Sequence, residues 1–202
     1  MTSPAACFHP GNLLTYVSLC AAIAAVAAAV HGSAAGAGVS MAVAVIADTF
    51  DGKYARLFAR TPAQQEFGRH LDSLSDAAAF GLAPVCCTAA LIPAAPSALV
   101  EVAWWLGVCC YAACAITRLG FYHLPGASAT TFVGIPAPVA ALLWSSALLL
   151  GPGWVVWVGI FFVVGIAMVA PLPIQRPTGT GMAAFVSWPI VVASAHIAAL
   201  IR

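Results

Sequence analysis

The sequence predicts an all-α polytopic membrane protein, a bundle of six to seven transmembrane helices with a metal site near its cytoplasmic side. Of its 202 residues, 63% are apolar and only 6% are charged. Its mean hydropathy is +1.02, which is far above the range of soluble domains. The charges are also concentrated, because nine of the 13 charged residues lie between Asp48 and Asp76. We therefore expect the functional site in that segment.

Seven apolar stretches are each long enough to cross a hydrocarbon core of ~30 Å as a helix. They run from Asn12 to Val30, Ala34 to Phe58, Gly68 to Ile92, Ala98 to Phe121, Phe132 to Leu150, Trp154 to Ala170 and Met182 to Ile201. The first stretch lacks a basic leader, so we interpret it as a retained helix. Before the third stretch, Thr61, Pro62 and Gln64 match an N-cap, a first-turn proline and a capping-box partner. Together the stretches predict one membrane domain over residues 1–202.

The basic residues predict the orientation of this bundle. Six of them lie in or beside the even-numbered connections: Lys53, Arg56, Arg60, Arg69, Arg118 and Arg176. The third and fifth connections, near Pro93 to Ser97 and Gly151 to Gly153, contain no charge. Because loops rich in Lys and Arg stay in the cytoplasm, we predict that the N-terminus and the aspartates face the cytoplasm.

The acidic residues fall on two helical faces. At 100° per residue, Asp48, Asp51, Gly52 and Ala55 share one face, and Gly68, Asp72, Ser75, Asp76 and Ala79 share another. If the two faces meet, four carboxylates come together, and the small residues leave space between the backbones. Since glycine is costly inside a helix, Gly52 indicates that something approaches the backbone closely there.

Clustered carboxylates need cations, because like charges repel strongly in a low dielectric and an unpaired carboxylate is costly at membrane depth. We therefore predict that Asp48, Asp51, Asp72 and Asp76 are metal ligands. Oxygen ligands suit Mg²⁺, Mn²⁺ or Ca²⁺, and a pair of such ions about 4 Å apart is common where phosphorus is attacked. The seven cysteines lack metal-ligand spacing, so no zinc site is predicted. In the alternative interpretation the aspartates cap helices and pair with Lys53, Arg56 and Arg69.

The pattern D-x2-D-G-x2-A-R, a spacer, then G-x3-D-x3-D resembles the signature of the CDP-alcohol phosphotransferases. Its eight positions are Asp48, Asp51, Gly52, Ala55, Arg56, Gly68, Asp72 and Asp76. The spacer between Arg56 and Gly68 exceeds the family's usual length by nearly one helical turn. Within the family, four segments resemble the bacterial and archaeal phosphatidylserine synthases: Pro10 to Thr15, Leu71 to Asp76, Phe80 to Pro84, and Phe132 to Pro138. The run from Arg118 to Tyr122 fits their R-L-A-R-F-N segment only in part.

The resemblance implies transfer of a phosphatidyl group from CDP-diacylglycerol to the hydroxyl of L-serine, with release of CMP. It implies two Mg²⁺ or Mn²⁺ ions on the four aspartates, with Asp76 also acting as the catalytic general base. The implied nucleotide-binding residues are Asp48, Gly52, Ala55, Arg56 and Gly68. The resemblance further implies a homodimer in the lipid bilayer of a prokaryotic inner membrane, with its active site facing the cytoplasm. We expect no nucleic-acid partner.

Two assignments outside the signature stay open. Arg118 is our candidate for binding the acceptor, because an arginine grips a carboxylate bidentately. It could instead be an anchor that reaches up to the lipid headgroups. Asn12 could be a helix cap or a contact near the nucleotide.

Other functions use the same features. Inositol phosphate or glycerol phosphate as acceptor would require further basic residues for a second phosphate, and choline would require an aromatic cage. The sequence shows no basic cluster beyond the signature, which favours serine or another small alcohol. A divalent-cation transporter would also use intramembrane carboxylates, but it has no need for the Gly52, Ala55 and Gly68 spacing.

Overall fold

A computed structural model of the chain describes residues 4–124, 131–175 and 178–201. Within these residues, short 3₁₀ turns at Pro4–Cys7 and Pro10–Asn12 precede eight α-helices and a two-stranded sheet. The helices are α1 (Leu13–Val30), α2 (Ala34–Ala55), α3 (Pro62–Asp76), α4 (Ala83–Leu91), α5 (Ala98–Phe121), α6 (Ala137–Leu148), α7 (Trp154–Val169) and α8 (Thr180–Ile201). The strands are β1 (Thr131–Val133) and β2 (Pro173–Gln175).

Five helical segments of the described chain are long and apolar enough to cross a membrane. They are Pro10–Val30, Ala34–Ala55, Pro62–Leu91, Ala98–Phe121 and Thr180–Ile201. The apolar helices α6 and α7 are shorter, with 12 and 16 residues. These segments confirm the predicted all-α membrane class. The side of the membrane that the aspartates face stays a prediction.

Helix α3 begins at the predicted cap. The Thr61 hydroxyl accepts a hydrogen bond from the Gln64 backbone N–H at 3.3 Å, and the Gln64 side-chain oxygen accepts one from the Thr61 N–H at 2.9 Å. With both bonds made, the first turn is stabilised by the full capping box. The cap thereby sets where the helix carrying Asp72 and Asp76 starts.

Helices α3 and α4 form one continuous span through a π-helical stretch at Ala77–Leu82. Pro84 has no N–H to offer to the carbonyl of Phe80, four residues earlier. That buried carbonyl instead accepts a hydrogen bond from the Tyr111 hydroxyl of α5 at 2.8 Å. The bond ties the helix that carries the aspartates to α5.

The predicted start of the fifth apolar stretch at Phe132 is wrong. Phe132 lies in β1, which pairs antiparallel with β2 so that Phe132 is opposite Ile174. The helix cannot begin here because Gly134 has a φ of +71°, in the left-handed region, and packs tightly against the backbone of Met168. Helix α6 therefore starts only at Ala137.

The core consists of two kinds of helix contact. Helices α1 and α2 pack through buried alanines, such as Ala25 and Ala37, whose small side chains let the backbones approach closely. Helices α5 and α7 pack through aromatic rings, with Tyr111 edge-on to Phe161 at 5.1 Å between centroids. The tight α1–α2 contact matters for the site, because it brings the start of α1 beside the aspartates of α2.

Candidate active site

Three aspartates from two helices converge in the structure. Asp48 of α2 and Asp72 and Asp76 of α3 each offer a carboxylate oxygen, and these oxygens all lie within 4.8 Å of one another. All three residues are half-buried. The two predicted helical faces therefore meet, and the oxygen-only cluster suits a hard divalent cation such as Mg²⁺, Mn²⁺ or Ca²⁺.

Asp51 lies beside this group of three rather than inside it. Its carboxyl group interacts electrostatically with that of Asp72, and its Oδ2 accepts a hydrogen bond from the Thr15 hydroxyl at 3.1 Å. The Thr15 carbonyl in turn accepts a hydrogen bond from the Ser75 hydroxyl at 3.2 Å. Thr15 of α1 thus links the two helices that carry the aspartates, a role that the sequence analysis missed. Its position one helical turn after Asn12 is the sequence feature that could have indicated this role.

A cavity of about 110 Å³ opens next to the aspartates, and we call it the donor cavity. It is lined by Gly11, Asn12, Thr15, Asp51, Gly52, Ala55, Arg60, Gln65, Gly68, Arg69 and Asp72. The small residues of the signature therefore form part of its wall. They leave space where larger side chains would fill the cavity.

The cavity decides between the two interpretations of Asn12. Its side chain makes no capping hydrogen bond, although it precedes α1. Instead it lines the donor cavity, where its Oδ1 lies 3.1 Å from the position that a Cβ atom on Gly68 would take. Asn12 is therefore a cavity residue.

The basic residues of the signature region are placed differently from one another. Arg56 lies along α2, where its Nε donates a hydrogen bond to the Gly52 carbonyl at 3.0 Å, and it is exposed. Arg60 and Arg69 line the donor cavity. The nucleotide-binding role implied for Arg56 stays a prediction.

A second cavity of about 500 Å³ also borders Asp72, and we call it the acceptor cavity. Its lining residues are Arg69, Asp72, Ser73, Tyr122, His123 and Leu124. The His123 Nε2 and the Ser73 hydroxyl oxygen lie 2.7 Å apart. The His70 ring stacks on His123 with centroids 5.3 Å apart. The sequence analysis did not predict this pairing of α3 with the end of α5.

Arg118 lies behind Tyr122, near the aspartates. It is only 7% exposed, and its guanidinium carbon is 4.8 Å from the Tyr122 ring centroid and 5.9 Å from that of Phe132. Asp76 is the acidic side chain that interacts with it electrostatically. Its Nε has no hydrogen-bond partner within the described part of the chain. Burial between two rings excludes the alternative in which Arg118 reaches up to the headgroups as an anchor.

The fold and site together define a helical membrane protein with an acidic centre between two cavities. The chain belongs to the CDP-alcohol phosphatidyltransferase family, whose model matches residues 8–169. This match confirms the resemblance drawn from the eight signature positions.

Several relatives are about a third identical to this chain over the aligned residues. It is 32% identical over 180 residues to the CDP-diacylglycerol--serine O-phosphatidyltransferase of Mycobacterium bovis, covering 82% of this chain and 60% of the relative. It is 32% identical over 140 residues to the archaetidylserine synthase of Methanothermobacter thermautotrophicus, covering 69% and 58%. The chain thus spans about 60% of the length of these relatives.

Proposed function

We propose that this protein is a divalent-metal-dependent phosphatidyltransferase. It would move the phosphatidyl group of CDP-diacylglycerol to the hydroxyl of L-serine, giving phosphatidylserine and CMP. The observation that carries the proposal is the convergence of Asp48, Asp72 and Asp76 beside two cavities that share Asp72. The names of the relatives support serine as the acceptor.

The residues present fit a divalent cation. The cluster offers oxygen ligands only, and within the described ranges none of its aspartates has a Lys, Arg or His ion pair at 4 Å or less. This argues against the interpretation in which the aspartates merely pair with nearby basic residues. Asp48, Asp72 and Asp76 would hold Mg²⁺ or Mn²⁺, with Asp51 alongside. Bound there, such ions would neutralise the donor diphosphate and make its phosphorus more electrophilic.

The donor cavity suits the nucleotide end of the donor. Gly52, Ala55 and Gly68 line it with almost no side-chain volume, which leaves room for the cytidine and its phosphates. Asp51 and Asp72 also line the cavity, so the diphosphate of a bound donor would lie beside the acidic cluster. The exposed apolar surface of the helices would receive the acyl chains from the bilayer.

The acceptor cavity suits a small zwitterionic alcohol. Tyr122 lines this cavity, and the buried guanidinium of Arg118 lies against the Tyr122 ring. Its Nε has no hydrogen-bond partner among the described residues, and a guanidinium binds a carboxylate well. The serine hydroxyl would then lie near Asp72, which lines this cavity.

The transfer itself requires one base. The serine hydroxyl oxygen attacks the phosphorus that carries diacylglycerol, while the carboxylate of Asp76 takes the hydroxyl proton. A new oxygen–phosphorus bond forms, the bond from that phosphorus to the phosphate oxygen of CMP breaks, and CMP leaves with the electron pair. Membership of the cluster supports this role for Asp76. It lines neither cavity, whereas Asp72, one helical turn earlier, borders both.

The test is CMP release by the purified protein in detergent with CDP-diacylglycerol and Mg²⁺ or Mn²⁺. L-serine, glycerol phosphate, inositol phosphate, inositol and choline are supplied separately. Release that depends on serine supports the proposal, and release with another acceptor keeps the chemistry but refutes serine. If none of them releases CMP, Mn²⁺ flux into proteoliposomes tests the transporter alternative. The single-domain organisation, the homodimer and the cytoplasm-facing site remain predictions from the sequence.

A further inference from the structure

We propose that Arg60, supplied by the long connection between α2 and α3, binds the phosphate of the nucleotide half of the donor. Arg60 is not one of the eight signature positions. The inference rests on the proposed function, because it takes a CDP-linked lipid as the donor.

The Arg60 side chain lies inside the donor cavity. Its Cδ is 3.3 Å from the position that a Cβ atom on Gly11 would take, and its Nη1 is 3.1 Å from the corresponding position on Gly68. Both neighbours are glycines that line the same cavity, so the guanidinium lies close against the Gly68 backbone. A larger residue at either position would compete with Arg60 for this space.

The backbone at Arg60 is fixed by its neighbours. The Arg60 carbonyl accepts a hydrogen bond from the Gln65 side-chain amide at 3.0 Å. The capping box of Thr61 and Gln64 begins at the very next residue. The additional residues of the spacer therefore end in a defined turn, and that turn directs Arg60 into the cavity.

The charge of Arg60 is available to an anion. Within residues 4–124, 131–175 and 178–201, no carboxylate lies within 4 Å of its guanidinium, although Asp51 and Asp72 line the same cavity. Asn12 adds a second donor beside it, since its Nδ2 is buried and has no hydrogen-bond partner in the described ranges. A phosphate oxygen would satisfy both groups, and an arginine suits phosphate geometry.

The position of Arg60 along α3 indicates which part of the donor it binds. Gly68, beside the guanidinium, precedes Asp76 by eight residues, which is about 12 Å along a helix. The reacting phosphorus must lie near Asp76 if that residue is the base. Arg60 therefore lies on the side of the donor away from Asp76, which is the half that leaves as CMP.

The test is CDP binding, measured by calorimetry in detergent with Mg²⁺ for the wild type, R60Q, R60K and K53Q. Charge-assisted hydrogen bonds of this kind predict that R60Q lowers the CDP affinity about tenfold or more. R60K should have an intermediate CDP affinity, because lysine keeps the positive charge but lacks the paired N–H donors of the guanidinium. Lys53 is a matched control, since it is exposed near the end of α2 and lines neither cavity, and K53Q should bind CDP like the wild type.

Three results would overturn the inference. Equal CDP affinity of the wild type and R60Q would show that Arg60 does not bind the nucleotide. If R60K loses as much CDP affinity as R60Q, and both variants melt at a lower temperature than the wild type without nucleotide, Arg60 has a structural role instead. A wild-type protein that binds no CDP would overturn the proposed function together with the inference, whereas the first two results leave the proposed function intact.

Discussion

Replacing Asp76 by asparagine tests the proposed base most directly. The substitution keeps the shape of the side chain but removes its ability to accept a proton from the acceptor hydroxyl. General base catalysis contributes about 10²- to 10⁴-fold, so we expect turnover to fall by that factor. CDP affinity at saturating Mg²⁺ should change little, because the donor cavity is lined by Asp51 and Asp72 and not by Asp76.

The same variant also tests the electrostatics of the cluster. Two ionised carboxylates 4.8 Å apart, the largest separation within the group, repel by about 3 kcal/mol at an effective dielectric constant of about 20. Asp76→Asn removes this repulsion. In the presence of a chelator, the variant should therefore unfold at a higher temperature than the wild type. Added Mn²⁺ should stabilise the wild type more than the variant.

The assay is CMP release with both substrates saturating, together with thermal unfolding in detergent with and without chelator. Glu66→Gln is the matched control, because it makes the same chemical change on the same helix at a side chain that is 66% exposed. The control should turn over like the wild type. Turnover of Asp76→Asn within a few-fold of the wild type would refute its role as base. A chelated variant that is no more stable than the wild type would refute the argument from repulsion.

Three further substitutions test other parts of the site. Thr15→Val removes the hydroxyl that donates to Asp51 and should raise the Mn²⁺ concentration needed for half-maximal turnover about tenfold. Thr15→Ser keeps the hydroxyl and should leave this concentration unchanged. An unchanged Mn²⁺ titration of the valine variant would contradict a role of Thr15 in positioning Asp51. Gly68→Ala adds a methyl group that meets two cavity side chains at 3.1 Å and should raise the KM for CDP-diacylglycerol several-fold. Gly159→Ala, which meets nothing within 4 Å among the described residues, should leave this KM unchanged; equal KM values in both variants disprove the crowding argument. Arg118→Lys keeps the charge but loses the paired N–H donors of the guanidinium, so the KM for serine should rise about tenfold at a constant KM for CDP-diacylglycerol. A rise in the KM for CDP-diacylglycerol alone would contradict a role of Arg118 in binding serine.

Local signals in the sequence predicted most of the helices. The apolar stretch from Ala98 to Phe121 matches α5 at both ends, and the cap at Thr61 starts α3 where its residue types indicate. The start of α6 was wrong because the segment around Phe132 pairs with a strand about 40 residues later in the chain. Hydropathy reports only how apolar a segment is, so it cannot distinguish a short buried strand from the first turn of a helix.

The acidic centre was predictable for the same local reason. Asp72 and Asp76 are one helical turn apart, so a single helix brings them together. The cluster then forms once the face of α2 that carries Asp48 packs against that helix. The partners of these residues come from distant parts of the chain. Thr15 reaches Asp51 across 36 positions and His123 reaches Ser73 across 50. No periodicity within one helix indicates such pairs, because they depend on how the helices pack.

The wall formed by Arg69 and Asp72 borders both cavities, and this arrangement bears on the order of events in turnover. If each cavity takes one substrate, as proposed, a lipid donor and an alcohol acceptor would occupy the protein at the same time. Neither would have to leave before the other enters. Such a layout matches a sequential kinetic scheme through a ternary complex, in which the phosphatidyl group passes directly between substrates and is never held covalently by the protein.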